Sequence, residues 1–149
     1  MDDSRASRSS QTSHTTDKAP PPVGPYPHAK KVGDFIFVSG MGPRKPGRSE
    51  IPGTYTDAEG NVVAHDIEVQ TKATIQNIQA VLESMGCELG DVVDVTCFLT
   101  DISSDFKRFN KVYAEFFNDA APTRTTVEVQ RLPTPICVEL KVIAHVSLS

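Results

Sequence analysis

The sequence predicts an α+β domain in which a single β-sheet carries two helices on one face. Three observations predict it: two segments have apolar residues at helical spacing, about five others read as strands, and their order is β-β-α-β-α-β-β. With 149 residues, the chain is long enough for one such domain and too short for two comfortable ones.

The N-terminal segment has a different composition from the rest. Residues 1–20 are rich in Ser, Thr and charged residues and nearly lack large apolar side chains. Such a segment buries too little apolar surface to offset the entropy of ordering. We therefore predict a disordered tail over residues 1–20 and a folded domain over residues 21–149.

The first two strands are predicted on either side of Gly33-Asp34, a pair that readily adopts the positive φ angles of a tight hairpin turn. Residues 41–64 follow, where glycine and proline recur and no apolar period survives. A loop of that length inside a compact domain is usually functional or disordered.

Two helices are predicted next. The first begins after Asp66, whose side chain suits an N-cap, and ends at Gly86. Its core positions are Thr74, Ile75, Ile78, Val81, Leu82 and Met85. The second is capped by Ser103 or Ser104 and ends at Ala120-Ala121-Pro122. Its aromatic stripe, predicted to lie in the core, consists of Phe106, Phe109, Tyr113, Phe116 and Phe117.

Three more strands complete the predicted sheet. DVVDVTCFLT alternates in period two, with a predicted core side of Val93, Val95, Cys97 and Leu99. RTTVEVQRL and ICVELKVIAHV follow, joined by Pro133-Thr134-Pro135; the core side of the last strand is Ile136, Val138, Leu140, Val142 and Ala144. The opposite face then carries Phe98 and Ile143 as part of a large apolar patch, so we predict a homo-oligomer.

Composition disfavours several classes of function. The formal charge of −4 argues against wide contact with nucleic acid. Three cysteines without CxxC spacing and four scattered histidines predict neither a disulfide framework nor a metal site. No apolar run approaches the roughly 20 residues that span a bilayer, so we expect no membrane insertion and a cytoplasmic location.

Two charged residues are the strongest candidates for chemistry. Arg124 lies where a loop enters a strand, and its planar fork of donors matches a carboxylate, although a strand-end salt bridge is the plainer explanation. Glu139 interrupts an apolar strand on the face opposite Val138 and Leu140. Partial burial raises the pKa of such a carboxyl and suits it to proton transfer, whereas a cross-strand ion pair is the plainer alternative.

Weaker candidates surround these two. Tyr26, His28 and Ser39 are hydrogen-bonding side chains close to glycines that let a ligand approach the backbone. A locally basic loop that can meet an anionic substrate contains Arg44, Lys45 and Arg48.

Together, several motifs resemble a known family. GPYPHA, FIFVSGM, QTKATIQNIQAVLESMG, DVVDVTCFLTDI, FNKVYAEFF, APTRTTVEV, LP and VELKVIA match, in order, the reactive intermediate deaminase (RidA) family over residues 19–146. Within the family, YPH, the hairpin, the arginine-containing insert and PTRTTV are most similar to bacterial 2-aminomuconate deaminase, an enzyme of aromatic-compound catabolism.

The resemblance implies a chorismate-mutase-like fold, a homotrimer with active clefts between subunits, and hydrolysis of small carboxylate-bearing enamines or imines to carbonyl compounds and ammonia. It implies no metal and no organic cofactor. Carried over to the matching positions, the resemblance implies that Arg124 binds the substrate carboxylate and that Glu139 positions or activates water. Residues that line or support the cleft are Tyr26, Ser39, Gly40 and Asn110.

The sequence departs from the family in two places. Thr126 stands where many members have cysteine, and the insert between Met41 and Asp66 is longer than in short members. The insert is expected to close over a larger, dianionic substrate whose second carboxylate is held by His28, Arg44 or Arg48. The alternatives are a generalist deaminase of 2-aminoacrylate-type intermediates and a non-catalytic trimeric binding or chaperone-like module; a ribonuclease role has also been attached to some relatives.

Overall fold

The protein folds as one six-stranded sheet, a small separate hairpin and two long helices. The computed structural model describes residues 11–146. The strands are β1 (Gln11–His14), β2 (Ala29–Val32), β3 (Phe35–Val38), β4 (Thr54–Thr56), β5 (Val62–His65), β6 (Val92–Leu99), β7 (Thr123–Glu128) and β8 (Val138–His145). The helices are α1 (Ile67–Ser84) and α2 (Ile102–Phe117), with a 3-10 turn at Leu89–Asp91 before β6.

The large sheet has the order β1-β2-β3-β8-β6-β7, and β4 pairs with β5 outside it. Neighbouring strands are antiparallel except β6 and β7, which are parallel. A parallel pair needs a crossover connection, and α2 provides it. Buried side chains of α1, α2 and the sheet form one core cluster, so the predicted α+β class with two helices on a sheet is confirmed.

Most element positions follow the prediction. Gly33 has a φ of 59° between β2 and β3, as the hairpin requires. The Asp66 side chain caps α1 by accepting from the backbone N–H groups of Glu68 and Val69, and Gly86, with a φ of 77°, follows the helix end. No helix within residues 11–146 is both long and apolar enough to cross a membrane.

The predicted disordered tail is wrong for residues 11–20. Residues 11–14 form β1, which pairs with β2 from Gln11 opposite Val32 to His14 opposite Ala29. The pairing uses backbone groups at a sheet edge, so it does not need the apolar side chains whose scarcity predicted disorder. Farther along, Ala19 is buried in the core. Residues 1–10 of the predicted tail lie outside the described residues.

Two details of the middle strand and second helix also differ. Val93 is 42% exposed and Val92 is buried, because the β6–β8 pairing shifts register between Val92 and Asp94. Such a bulge reverses the side-chain alternation before it. Asp101, rather than Ser103 or Ser104, caps α2: its carboxylate accepts from the Ser104 N–H at 3.1 Å.

The insert also contains regular structure that the sequence did not predict. Within it, β4 and β5 form a hairpin fixed to the domain through Thr54, whose hydroxyl donates to the Pro135 carbonyl at 2.8 Å. Gln70 of α1 donates to the same hydroxyl at 2.7 Å and to the Pro52 carbonyl at 3.1 Å. A buried helix side chain thus anchors the hairpin, which lacks an apolar period because its side chains are mostly exposed.

Candidate functional site

Arg124 lies on the helix-bearing face of the sheet, at its edge. In the parallel pairing of β6 with β7, Val95 is opposite Arg124 and Cys97 is opposite Thr126. Val95 and Cys97 are fully buried in the core. Side chains opposite one another in a pair share a face, so Arg124 and Thr126 also point toward the helices.

Three aromatic rings of α2 surround the Arg124 guanidinium. Its Cζ atom lies 4.7 Å from the ring centre of Tyr113, 5.4 Å from that of Phe109 and 5.8 Å from that of Phe106. All three distances fall within the range of attractive cation–π contact. Within residues 11–146, no carboxylate forms an ion pair with Arg124. Cation–π contacts with these rings do not use the hydrogen-bond donors of the guanidinium, which therefore remain available to a ligand.

A cavity of about 390 Å³ opens beside this arginine, between α2 and the start of β7. It is lined by Asn110, Tyr113, Ala114, Phe117, Asn118, Ala121, Pro122 and Arg124. The volume suits a small organic molecule. The predicted pair Asn110 and Arg124 is therefore brought together, and the lining also includes Tyr113, which the sequence analysis assigned to the core.

The turn between α2 and β7 places Arg124 near the start of this strand. Ala121 has a φ of 45°, and its N–H donates to the Phe117 carbonyl at 2.8 Å. A left-handed residue of this kind ends a helix and reverses the chain. The reversal brings Pro122 and Arg124 to the mouth of the cavity.

Two weakly acidic side chains near Arg124, the Tyr113 hydroxyl and the Cys97 thiol, are neutral at neutral pH. Burial raises the pKa of the Tyr113 hydroxyl to about 12, although Arg124 opposes the rise. Burial likewise raises the pKa of the Cys97 thiol to about 11, against the opposing effects of Arg124 and the Thr126 hydroxyl. The guanidinium therefore keeps its positive charge uncompensated by these groups at neutral pH.

Glu139 lies on the opposite face of the sheet. It is directly opposite Phe98 in the β6–β8 pair, and its chain neighbours Val138 and Leu140 are fully buried on the helix face. Partial burial raises the pKa of the Glu139 carboxyl above its ordinary value. The alternative of a structural ion pair is not found: within the described chain no cation pairs with this carboxylate.

Gly40 is fitted against Glu139. A Cβ atom at position 40 would lie 2.6 Å from Glu139 Oε2 and 3.0 Å from its Cδ. Paired backbone bonds between Met41 and Leu140, at 2.8 and 2.9 Å, fix this approach. Ser39 donates from its hydroxyl to the Pro27 carbonyl at 2.8 Å, which ties the segment carrying the exposed Tyr26 ring to the same region.

His28 and Arg44 have structural contacts. His28 is buried; its Nδ1 accepts from the Thr16 N–H at 3.1 Å, so its Nε2–H donates to the Pro20 carbonyl at 2.7 Å. Neither ring nitrogen is free for a substrate carboxylate, which argues against the predicted ligand role of His28. Arg44 donates from Nη2 to the Pro21 carbonyl at 2.8 Å and so holds the same N-terminal segment.

The other cations of the insert lie in separate clefts. Lys45 and Arg48 line a cleft of about 620 Å³ with residues 50–56, and a smaller one of about 360 Å³ with Lys18. None of the residues that line the Arg124 cavity lines either cleft. Within one chain, the predicted anion-binding loop and the predicted carboxylate-binding arginine therefore do not form one site.

Comparison with known proteins agrees with this fold. The family model described as Endoribonuclease L-PSP matches residues 16–146. A RutC family protein of Pyrococcus abyssi is 45% identical over 130 residues, which is 87% of this chain and 93% of that protein. The Escherichia coli protein named "Putative reactive intermediate deaminase TdcF" is 33% identical over 132 residues, covering 87% of this chain and 92% of its own.

Solved structures show the same similarity. E. coli TdcF with bound serine superposes with a TM-score of 0.78 at 32% identity, over 91% of this chain and 99% of that one. The E. coli YjgF gene product gives 0.76 at 31% identity, over 90% and 98%. Matched over nearly the whole described domain, the chain belongs to the reactive intermediate deaminase (RidA) family, whose model carries the description Endoribonuclease L-PSP.

Proposed function

We propose that the protein is a cofactor-independent enamine/imine deaminase that hydrolyses 2-aminomuconate, or a close 2-amino-dienoate, to a 2-oxo diacid and ammonia. The observation that carries the proposal is Arg124: a guanidinium held by three aromatic rings, without a carboxylate partner in the described chain, at a cavity of small-molecule size. A partly buried guanidinium with free donors is an expected partner for a substrate carboxylate.

Arg124 binds the carboxylate next to the reacting carbon. Protonation of the enamine at carbon converts the 2-amino-diene into a 2-imine, whose carbon is electrophilic. Water then adds to that carbon, and a proton transferred to nitrogen lets ammonia leave. The balance is one water consumed and one ammonia released per 2-oxo product, with no change of oxidation state, so no redox partner is needed.

We assign to Glu139 the role of orienting and activating the attacking water. The pKa of its carboxyl is raised toward neutral pH, where one group can both accept and return a proton. Gly40 keeps the carboxylate accessible by lacking a Cβ. The guanidinium of Arg124 stabilises negative charge that develops next to the carbinolamine.

The site requires two copies of the chain. Arg124 and Glu139 point to opposite faces of one sheet, so a single chain does not present both to one substrate. The open face also exposes Phe37, which pairs with Ile143 across β3 and β8. Contact through this apolar face is favourable, and a homotrimer with clefts between subunits would bring Arg124 of one protomer to Glu139 of the next.

The second carboxylate of a dicarboxylate substrate needs a further cation. His28 has no free nitrogen, whereas Arg44 has donors beyond its bond to Pro21, and Arg48 lines an open cleft of the insert. We assign this role to Arg44 or Arg48 of whichever protomer faces the shared cleft.

A generalist deaminase of 2-aminoacrylate-type intermediates is the second candidate. It is favoured by the similarity to TdcF, which is named for reactive intermediates and whose structure holds serine, a small monocarboxylate. The same Arg124 and Glu139 would serve, without a second anion site. Either reading fits a cytoplasmic enzyme, and the location stays a prediction.

The test is release of ammonia, with loss of diene absorbance, from 2-aminomuconate generated in situ. Wild type should exceed the spontaneous rate, and Arg124→Ala should lower kcat/KM by about a hundredfold or more because orientation of the substrate is lost. Arg108→Ala is the matched control, since this exposed arginine of α2 pairs with Glu68 away from the cavity. Clearance of 2-aminoacrylate alone would favour the generalist; binding without turnover of either would leave the binding module.

A further inference from the structure

Three metal-binding side chains converge where the insert hairpin meets the helix layer. His65 is the last residue of β5, Asp105 lies in the first turn of α2, and Cys137 precedes β8. One ligand atom from each lies within 4.8 Å of the other two, and His65 Nε2 is 2.9 Å from Asp105 Oδ2. The three lie far apart in sequence, which is why spacing motifs gave no sign of them.

The environment of these groups is closed on one side and open on the other. Asp105 is 5% exposed and Cys137 is 1% exposed, whereas the His65 side chain is 32% exposed. A buried carboxylate is costly unless a positive charge lies close to it. Here the only ion-pair partner of Asp105 within residues 11–146 is the imidazole, so a cation entering past His65 would meet a site of negative charge.

We propose that His65, Asp105 and Cys137 bind one divalent transition-metal ion of the zinc class. Imidazole nitrogen, carboxylate oxygen and thiolate sulfur are the three donors that zinc uses in proteins. With Asp105 and Cys137 both ionised, a divalent ion brings the buried cluster to zero net charge. Three protein ligands with an exposed side leave a fourth position for water.

The geometry requires only a local adjustment. Tetrahedral bonds of about 2.0–2.3 Å place donor atoms roughly 3.3–3.8 Å apart, so a pair at the 4.8 Å limit must close by about 1 Å, whereas His65 Nε2 and Asp105 Oδ2, now 2.9 Å apart, must separate slightly. The partly exposed His65 can make that adjustment by a change of rotamer. The hairpin that carries it is already joined to α1 by Gln70 through Thr54, which keeps the adjustment small.

Gln70 holds Cys137 in place beside the other two side chains. The Gln70 Oε1 atom accepts both the Cys137 thiol, at 3.0 Å, and the Cys137 backbone N–H, at 2.8 Å. When the thiol loses its proton, Oε1 keeps the backbone donor, so no buried polar atom loses its last partner. Without metal, burial raises the pKa of this thiol to about 12, and the charge of Asp105 adds to the rise.

The number of protons released when the ion binds follows from the chemistry of its ligands. Binding forms a metal–sulfur bond and releases one proton from the thiol to solvent. His65 binds through Nε2 and moves its own proton to Nδ1, which replaces its hydrogen bond to Asp105 by two bonds to the ion. About one proton per ion should therefore be released, which the buffer dependence of the binding enthalpy measures directly.

Cobalt(II) titration of chelator-treated full-length protein tests the proposal. Wild type should take up one ion per chain and develop visible tetrahedral bands together with a near-ultraviolet thiolate-to-cobalt band. Cys137→Ser should lose the thiolate band, whereas Cys87→Ser, which removes another buried cysteine outside the cluster, should keep it. Zinc should bleach the cobalt spectrum by displacement.

His65→Ala gives an independent test, because this side chain is partly exposed and its loss does not create a core cavity. It should weaken the competition of the protein with a chromophoric chelator for zinc by about tenfold or more. The absence of uptake by wild type, a thiolate band that persists in Cys137→Ser, or unchanged zinc affinity in His65→Ala would each overturn the proposal. These readouts do not depend on deaminase activity.

Discussion

Arg124 and Glu139 point to opposite faces of the same sheet, although their strands, β7 and β8, both pair with β6. Because the two side chains lie on opposite faces, the proposal that two protomers share one site can be tested by mixing variants of the two residues. Arg124→Ala and Glu139→Gln should each be inactive alone. When the two variants are mixed and reassembled in equal amounts, about a quarter of the sites in a randomly assembled homotrimer regain both native groups.

The measurement is turnover per site after unfolding and joint refolding, beside separately refolded variants mixed afterwards. Only the jointly refolded sample should recover activity. If joint refolding recovers nothing although mixed oligomers are shown to form, the two residues do not act together across an interface.

The ring of Tyr113, rather than its hydroxyl, is expected to support Arg124. Within residues 11–146 the buried hydroxyl has no hydrogen-bond partner, so Tyr113→Phe should keep kcat/KM within about twofold of wild type while maintaining or raising Tm. Tyr113→Ala should raise KM about tenfold, because the nearest cation–π contact, at 4.7 Å, is lost. A Phe variant as impaired as the Ala variant would instead assign the function to the hydroxyl.

Gly40→Ala should damage catalysis more than folding. The new Cβ would lie 2.6 Å from Glu139 Oε2 and must displace the carboxylate from its place. We expect kcat to fall about tenfold or more, with a smaller change in Tm. Gly90→Ala, where the nearest contact of an added Cβ is an ordinary 3.4 Å to Glu88, is the matched control and should show neither effect.

The pH dependence of stability should reveal the burial of Glu139. Its pKa in the folded protein is raised from an ordinary value of 4.5, so the folded state holds the proton more tightly than the unfolded state. Stability contributed by the protonated carboxyl is therefore present below pH 4.5 and is lost as pH rises through the folded-state pKa. Glu139→Gln should be more stable than wild type near neutral pH.

Thermal unfolding of wild type and Glu139→Gln between pH 4 and 8 measures this difference. The advantage of the glutamine variant should shrink as the pH falls toward the acid end of this range. A constant difference across it would mean that Glu139 does not change its protonation between the folded and unfolded states in this window.

The pattern of apolar and polar side chains predicted the parts of the fold that depend on burial. Helical spacing placed α1, and strand alternation placed Leu140 and Val142 in the core, because the core face of an element must be apolar. It failed at Val93, where a bulge shifts the alternation without changing composition. The side-chain pattern also failed to predict β1, because this strand pairs through backbone atoms and the pattern does not reveal such pairing.

The sequence named the candidate site residues but not their arrangement. Arg124 was singled out as the candidate for binding a carboxylate, yet the aromatic rings around it were interpreted only as core, since spacing on α2 does not reveal what faces a ring. His28 illustrates the converse: the motif suggested a ligand, whereas folding uses both of its nitrogens for the backbone of residues 16 and 20.

The N-terminal strand has a practical consequence. A protein shortened to begin at residue 21 would uncover the hydrogen-bonding edge of β2 and remove the backbone groups of Thr16 and Pro20 that satisfy the His28 ring. An uncovered edge invites pairing with strands of other molecules. Removing this segment to improve behaviour in solution would therefore promote aggregation. Although its composition suggests a dispensable tail, the segment protects the edge of the sheet.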